Sequence, residues 1–167
     1  MRSALLTITL LVLSAPTIAA DAPVIVKIPR LTMEAAQKLA HAAVVACRKL
    51  GIQIGVTVVD RSGDPMVVLR DTLAAHLTLE VSRQKAYTAV NFNSALSAMK
   101  GRFTDPFSVA KVQGLVFSAG GIPISAVGNI VGAVGVSGAP TGEQDEACHQ
   151  RLIARNQFAP EAELQAS

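Results

Sequence analysis

LVFSAGGIPISAVGNIVGAVGVSGAPTGEQDEA, residues 115–147, is the stretch whose reading decides the fold. Apolar, β-branched runs are divided by glycines and close on an acidic helix start. The pattern predicts strands over 115–118, 123–126 and 129–137. Val127-Gly128-Asn129 closes a hairpin between the last two, because Gly and Asn tolerate the positive φ of a tight turn. Gly120-Gly121 makes an open bend free of side chains. Gly132, Gly135 and Gly138 recur at every third position. Glycine weakens a strand, so its repeated use marks close approach by another backbone, a helix or a ligand.

The chain upstream supplies what this sheet packs against. Thr32 is a good N-cap and Glu34 suits the positive end of a helix. Ala36, Leu39, Ala40, Ala43, Val44, Cys47 and Leu50 then repeat at helical spacing up to Gly51. His41 falls on the polar side, with Gln37, Lys38 and Arg48. Ile52, Ile54, Val56 and Val58 alternate as a strand. The cluster at 60–64 turns the chain, and 65–69 returns, giving a β-hairpin. A loop holding His76 follows, and Thr78 can cap the next helix, which carries Lys85 on a face of small residues. Ser94 caps a short helix ending at Gly101, and Asp105 opens another turn. Thr141 and Gln144 fit a capping box at the start of a last helix, whose Glu143, Asp145 and Glu146 suit the macrodipole. The order is α, hairpin, helices, three strands, α. Hairpin connections imply an antiparallel sheet of five strands covered by helices, an α+β domain.

Residues 1–20 read as a signal peptide. Arg2 is a positive n-region, 4–13 an apolar run too short to span a membrane, and Ile18-Ala19-Ala20 a small-residue cleavage site. The expected product is periplasmic or secreted, cut near Ala20, with an extended arm at 21–30, one domain at 31–156 and a frayed tail at 157–167. No second apolar run reaches spanning length. Charge is close to balanced, with 15 basic against 12 acidic side chains. One Tyr, five Phe and no Trp are scattered without a basic cluster, which gives nucleic-acid binding no support. A domain half apolar by composition is expected to bury surface in a homo-oligomer.

Two cysteines, Cys47 and Cys148, lie on the first and last helices. If those helices run antiparallel side by side, the two meet. In an oxidising compartment they can bridge; the other reading is two buried thiols packing as small apolar side chains. Two cysteines make no zinc site.

No catalytic signature is present. Gly135-Val136-Ser137-Gly138 misses the nucleophile elbow by one residue, no P-loop occurs, and the sheet glycines do not open a helix as a dinucleotide fingerprint does. His41, His76 and His149 each stand alone in sequence. His149, on the acidic helix, reads as a solvated side chain. His76 differs, because it sits in a loop between elements, where sites are built. Arg70, His76, Lys85 and Gly120-Gly121 could converge on one pocket suited to an anionic group.

Four segments together resemble the GlcG/HbpS family of haem-binding proteins, which is also similar to the C-terminal domain of PduO. They are VTVVDRSGDPMVVLRD (56–71), RQKAYTA (83–89), GGIPI (120–124) and IVGAVGVSGAPTGEQDEAC (130–148). Many relatives carry Arg-Met-Asp after the second strand; this chain reads Arg70-Asp71, so a methionine role there is absent. The resemblance implies a profilin-like fold, with a five-stranded antiparallel sheet and helices on both faces. It also implies homo-oligomers and, in some members, haem binding tied to sensing, uptake or degradation. Haem needs an apolar slot, basic partners for its propionates and an axial ligand. His76 is the first choice as haem-iron ligand and His41 the second, with Arg70 and Lys85 as propionate partners. Two other readings stand beside it: a non-haem enzyme or accessory factor holding a small carboxylate in the basic pocket, and a structural assembly protein.

Overall fold

The structure is a computed structural model that describes residues 24–105, 107–126 and 128–154. The expected signal peptide and the tail at 157–167 lie outside the described residues, as do the first three residues of the expected arm.

The first helix, α1, spans Met33–Arg48, and the Thr32 hydroxyl accepts the Ala35 N–H at its start. Gly51 at φ +72° turns the chain out of it. β1 (Gly55–Asp60) and β2 (Pro65–Arg70) form the first hairpin. The helix α2 runs over Leu77–Phe92 and ends on Asn93 in the left-handed region. A 3-10 turn at Leu96–Met99 and a second at Val109–Lys111 lead to β3 (Gly121–Ala126), β4 (Asn129–Ser137) and the helix α3 (Gly142–Ala154). The sheet is antiparallel, in the order β2-β1-β4-β3.

Among the described residues it has four strands rather than five. Residues 115–118 do not pair, because the Val116 N–H is taken by the Thr88 hydroxyl on α2 at 3.0 Å instead of by a strand. The first strand begins at Gly55, three residues later than the alternation from Ile52 suggests. Thr78 is not a cap either. The N-cap position of α2 is His76, in helical backbone conformation, while Thr78 is buried and its hydroxyl donates to the Ala75 carbonyl. Thr141 does cap α3, accepting the Gln144 N–H.

Alternation along the strands separates two cores. Val56, Val58, Ile124, Val134 and Val136 face α1 and α3, with Leu39, Ala40 and Ala43. Val59 and Ala133 face α2. Each fully buried Val or Leu contributes roughly 1.5–3 kcal/mol. Gly135 explains how closely α2 lies: a Cβ there would run into the Ser82 carbonyl oxygen and come within 2.5 Å of the Ala86 nitrogen. Beside it, the Thr57 and Ser82 hydroxyls share a buried hydrogen bond of 2.9 Å.

The terminal helices lie side by side on one face, and Cys47 and Cys148 are bridged there with Cα atoms 5.2 Å apart. Among the described residues no helix is long and apolar enough to cross a membrane.

Candidate functional site

The loop at 70–77 joins the edge strand β2 to α2, and it is held firmly at its base. The Asp71 carboxylate accepts two bonds from the Arg48 guanidinium, at 2.7 and 2.8 Å. Its backbone N–H donates to the Ile54 carbonyl, and its own side chain accepts the Thr72 N–H. The Arg48 bonds hold the Asp71 carboxyl at about 2, well under its ordinary value, against the opposing effect of desolvation. Further along, the Leu73 N–H donates to the Gln53 side-chain carbonyl, and the Arg70 guanidinium donates to the Ala74 carbonyl. With the backbone fixed in this way, the loop presents Leu73 (80% exposed), His76 and Leu77 (63% exposed) to solvent. The His76 imidazole makes no capping bond to α2.

His41 is exposed on α1 and lines a shallow cavity of about 180 Å³ with Val44, Arg48, Leu69, Arg70 and Asp71. Arg70 therefore belongs both to the His76 loop and to the hollow beside His41.

Lys85 lies elsewhere. It is buried between α2 and α3, its ammonium 2.7 Å from the Asp145 carboxylate, with side chains only 3% and 4% exposed. Asp145 also accepts the Ala139 N–H at 2.8 Å. Burial pushes the Asp145 carboxyl up, against the pull of Lys85 and of that N–H. Gly120 and Gly121 adjoin this pair. A Cβ on Gly120 (φ +117°) would meet the Lys85 ammonium and the Asp145 Cβ, each at 2.8 Å, and one on Gly121 would meet the Lys85 carbonyl. The glycines thus make room for the ion pair rather than for an open cavity. The candidate residues fall into two places: Arg70, His76 and His41 around the loop, and Lys85, Gly120 and Gly121 beneath α3.

Three polar residues of α3 have more weight than sequence reasoning assigned them. Glu146 accepts from the Ser97 hydroxyl and N–H and from the Gly120 N–H, tying the 3-10 turn to the start of β3. Asp145 holds Lys85. His149 is fully buried, not solvated; its Nδ1 lies 3.1 Å from the Asp145 carbonyl oxygen, and its Nε2 has no partner. Desolvation lowers the His149 pKa to about 3, helped by the Lys85 charge and opposed by the Asp145 carbonyl. The signal was present: Asp145, Cys148 and His149 stand at i, i+3 and i+4, one face of a helix.

A groove of about 570 Å³ runs along the outer seam of α1 and α3, lined by Ala42, Val45, Ala46, Leu50 and Ala147 with Lys49. Cys148 also lines it, but its sulfur is bonded to Cys47, so the groove presents neither a free thiolate nor an imidazole.

Residues 31–154 match the family described as "Haem degrading protein HbpS-like". The chain belongs to this family. It is similar to a Streptomyces reticuli HbpS double mutant of known crystal structure, with 37% identity, 85% of this chain and 97% of that chain covered, and a TM-score of 0.75. It is also similar to the PduOC:heme complex, at 28% identity over 75% of this chain and 94% of that one, with a TM-score of 0.67. An uncharacterized 15.0 kDa protein from the dhaT-dhaS intergenic region of Citrobacter freundii is 30% identical over 133 residues, 77% of this chain and 89% of the relative. The family is described by haem degradation, and the likeness to PduOC is to a chain crystallised with heme.

Proposed function

We propose that this is an exported haem-binding protein that takes haem at the loop of residues 70–77, with His76 as axial ligand and Arg70 as a propionate partner. The observation that carries the reading is the rigidly based loop presenting an exposed imidazole between two exposed leucines. Haem asks for an axial nitrogen, apolar contact and a cation, and residues 70–77 offer all three within one turn of chain. The residues present therefore fit the group. Bound haem supplies a redox-active iron. The chain supplies the imidazole nitrogen, the leucine side chains that cover the ring from water, and the guanidinium that neutralises a carboxylate. His41, beside Arg70, is the second choice of ligand. Lys85 has no such role here, since Asp145 already holds its charge. Family membership supports a part in haem sensing, uptake or degradation. A bridge between Cys47 and Cys148 supports export, because disulfides persist in oxidising compartments.

The test is a haemin titration followed in the Soret region, with His76→Ala and His41→Ala alongside. The expected result is a saturable, stoichiometric band in the parent that His76→Ala abolishes and His41→Ala keeps. Loss in His41→Ala alone moves the ligand to α1. A flat, non-saturating response at micromolar protein overturns the haem reading and leaves the carboxylate and assembly readings.

A further inference from the structure

β2 is an outer strand of the sheet, and one of its edges is bare. The register against β1 says which groups that edge offers. Val56 stands opposite Leu69 and Val58 opposite Val67, and the Asp71 N–H donates to the Ile54 carbonyl two places along the same ladder. Bonded positions alternate in an antiparallel pair, so Val67 and Leu69 bond to β1 while the N–H and C=O of Val68 and Arg70 point outward. β2 reads Pro-Met-Val-Val-Leu-Arg, apolar but for its last residue, and Val68 is 46% exposed. A bare apolar edge of this kind is a template for another extended chain.

The protein carries such a segment itself. Ahead of α1 it runs extended through Val24, Ile25, Val26, Lys27 and Ile28, and the four apolar residues are 60–100% exposed. Among the described residues none of their backbone groups is bonded to another. β-Branched residues in a row suit a strand, and Pro29 keeps the segment out of a helix. Arg30 fixes the end of this arm. Its guanidinium lies 3.2 Å from the Asp60 carboxylate, and the Asp60 N–H donates to the carbonyl of Asp64, the residue before β2. The arm is therefore rooted where β2 begins, and α1 leaves that root to end at Arg48, which holds Asp71 just past the other end of β2.

A segment that lies along β2 and arrives at its start runs antiparallel to it. Six strand residues cover roughly 20 Å, and residues 24–29 match Pro65–Arg70 one for one. With Arg30 beside Asp64, Val26 falls opposite Val68 and Val24 opposite Arg70. The outward groups of Val68 and Arg70 then meet those of Val26 and Val24. Pro29, which has no N–H, falls at a position facing away from β2, as an edge strand allows. Ile25 lands beside Leu69, at the hollow that Leu69 lines with Val44 and His41. The root also keeps the arm at a high effective concentration at this edge.

We infer that residues 24–29 close onto the free edge of β2 in the same chain as an antiparallel strand, with Val26 opposite Val68. The closure is independent of the haem reading, since neither haem nor the His76 imidazole takes part.

The first measurement is amide hydrogen exchange by NMR on the full 167-residue chain, for the parent and for Arg30→Ala. The Arg30 side chain is exposed, so its removal frees the root without disturbing the core. In the parent the amides of Val24 and Val26 are expected to exchange at least tenfold more slowly than in an unstructured peptide, with Ile25 and Lys27 near the peptide rate. Arg30→Ala is expected to bring all four to that rate. The second measurement is oxidation of the Val26→Cys, Val68→Cys pair, mapped by proteolysis and mass spectrometry. Directly opposite bonded residues have Cα atoms ~5.5 Å apart, within the span of a disulfide. A bridge between positions 26 and 68 of one chain is expected, whereas Ile25→Cys with Val68→Cys, whose side chains leave on opposite faces, is expected to stay open. Peptide-rate exchange throughout the parent arm overturns the inference. Protection that survives Arg30→Ala also overturns it, by seating the arm elsewhere. So does a 26–68 bridge found only at twice the protomer mass, which puts the arm on another copy, and so does a 26–68 pair that stays reduced.

Discussion

His149 makes stability depend on pH with a predictable sign and size. The ring is fully buried and its Nε2 has no partner, so charging it in place is costly. Its folded pKa is about 3 against an ordinary 6.5, with desolvation the largest cause and Lys85 a further one. The folded value lies below the unfolded one, so the unfolded chain takes the proton first. The stability conferred by the neutral ring is complete above pH 6.5 and is lost as pH falls toward about 3. Each pH unit in that window costs a little over 1 kcal/mol, so two units below the ordinary value the deficit is about 3 kcal/mol. Against a typical 5–15 kcal/mol for a domain, that is a visible fraction. The assay is urea unfolding followed by far-UV circular dichroism at neutral pH and near pH ~4.5, for the parent and for His149→Leu. The parent should lose about 2–3 kcal/mol more than the variant over this interval. Leucine fits the slot without an orphaned nitrogen, so the variant should match or exceed the parent at the acid end. Equal losses in both proteins would show that His149 charges as readily in the folded chain as in the unfolded one, and the burial argument would fail.

Two further perturbations test the packing around α3. Lys85→Ala strands the Asp145 carboxylate in a buried site and should cost about 3–5 kcal/mol, whereas the apolar pair Lys85→Met with Asp145→Leu should recover most of that, as read from urea midpoints. Replacing both Cys47 and Cys148 by Ala opens a link across 101 residues and should lower unfolding stability by about 2–5 kcal/mol; an unchanged midpoint would mean that the bridge contributes nothing to the fold.

Most of the fold could be read from periodicity. Alternation at 129–137 and the Gly128-Asn129 turn place β4 and its hairpin, and the helical repeat from Ala36 to Cys47 places α1 with its buried face. The fifth strand failed for a reason that local pattern does not contain. Residues 115–118 have the right composition, but Thr88, nearly thirty residues earlier, takes the Val116 N–H that a ladder would need. Thr78 failed in the same way. Its cap chemistry is sound, yet Gly55 opens a slot beneath α2 that the threonine fills, and the helix starts two residues earlier, at Leu77. Intrinsic preference lost to tertiary contact in both cases.

The site was less legible because charge placement is a property of pairs. Lys85 and Asp145 are 60 residues apart, and nothing in either neighbourhood names the other. Read alone, Lys85 is a basic group ready to meet an anion; in the structure its anion is already present. The same logic separates the two arginines near the loop. Arg48 is committed to Asp71 through two bonds, which makes it scaffold, while Arg70 makes a single bond to a backbone carbonyl and keeps its full charge unpaired by any carboxylate among the described residues. The proposed haem site uses both kinds: Arg48 fixes the backbone at Asp71, and Arg70 is left for the ligand. That division of labour, rather than the count of basic residues, is why we propose residues 70–77, and not the ground beneath α3, as the place for an acidic, flat molecule.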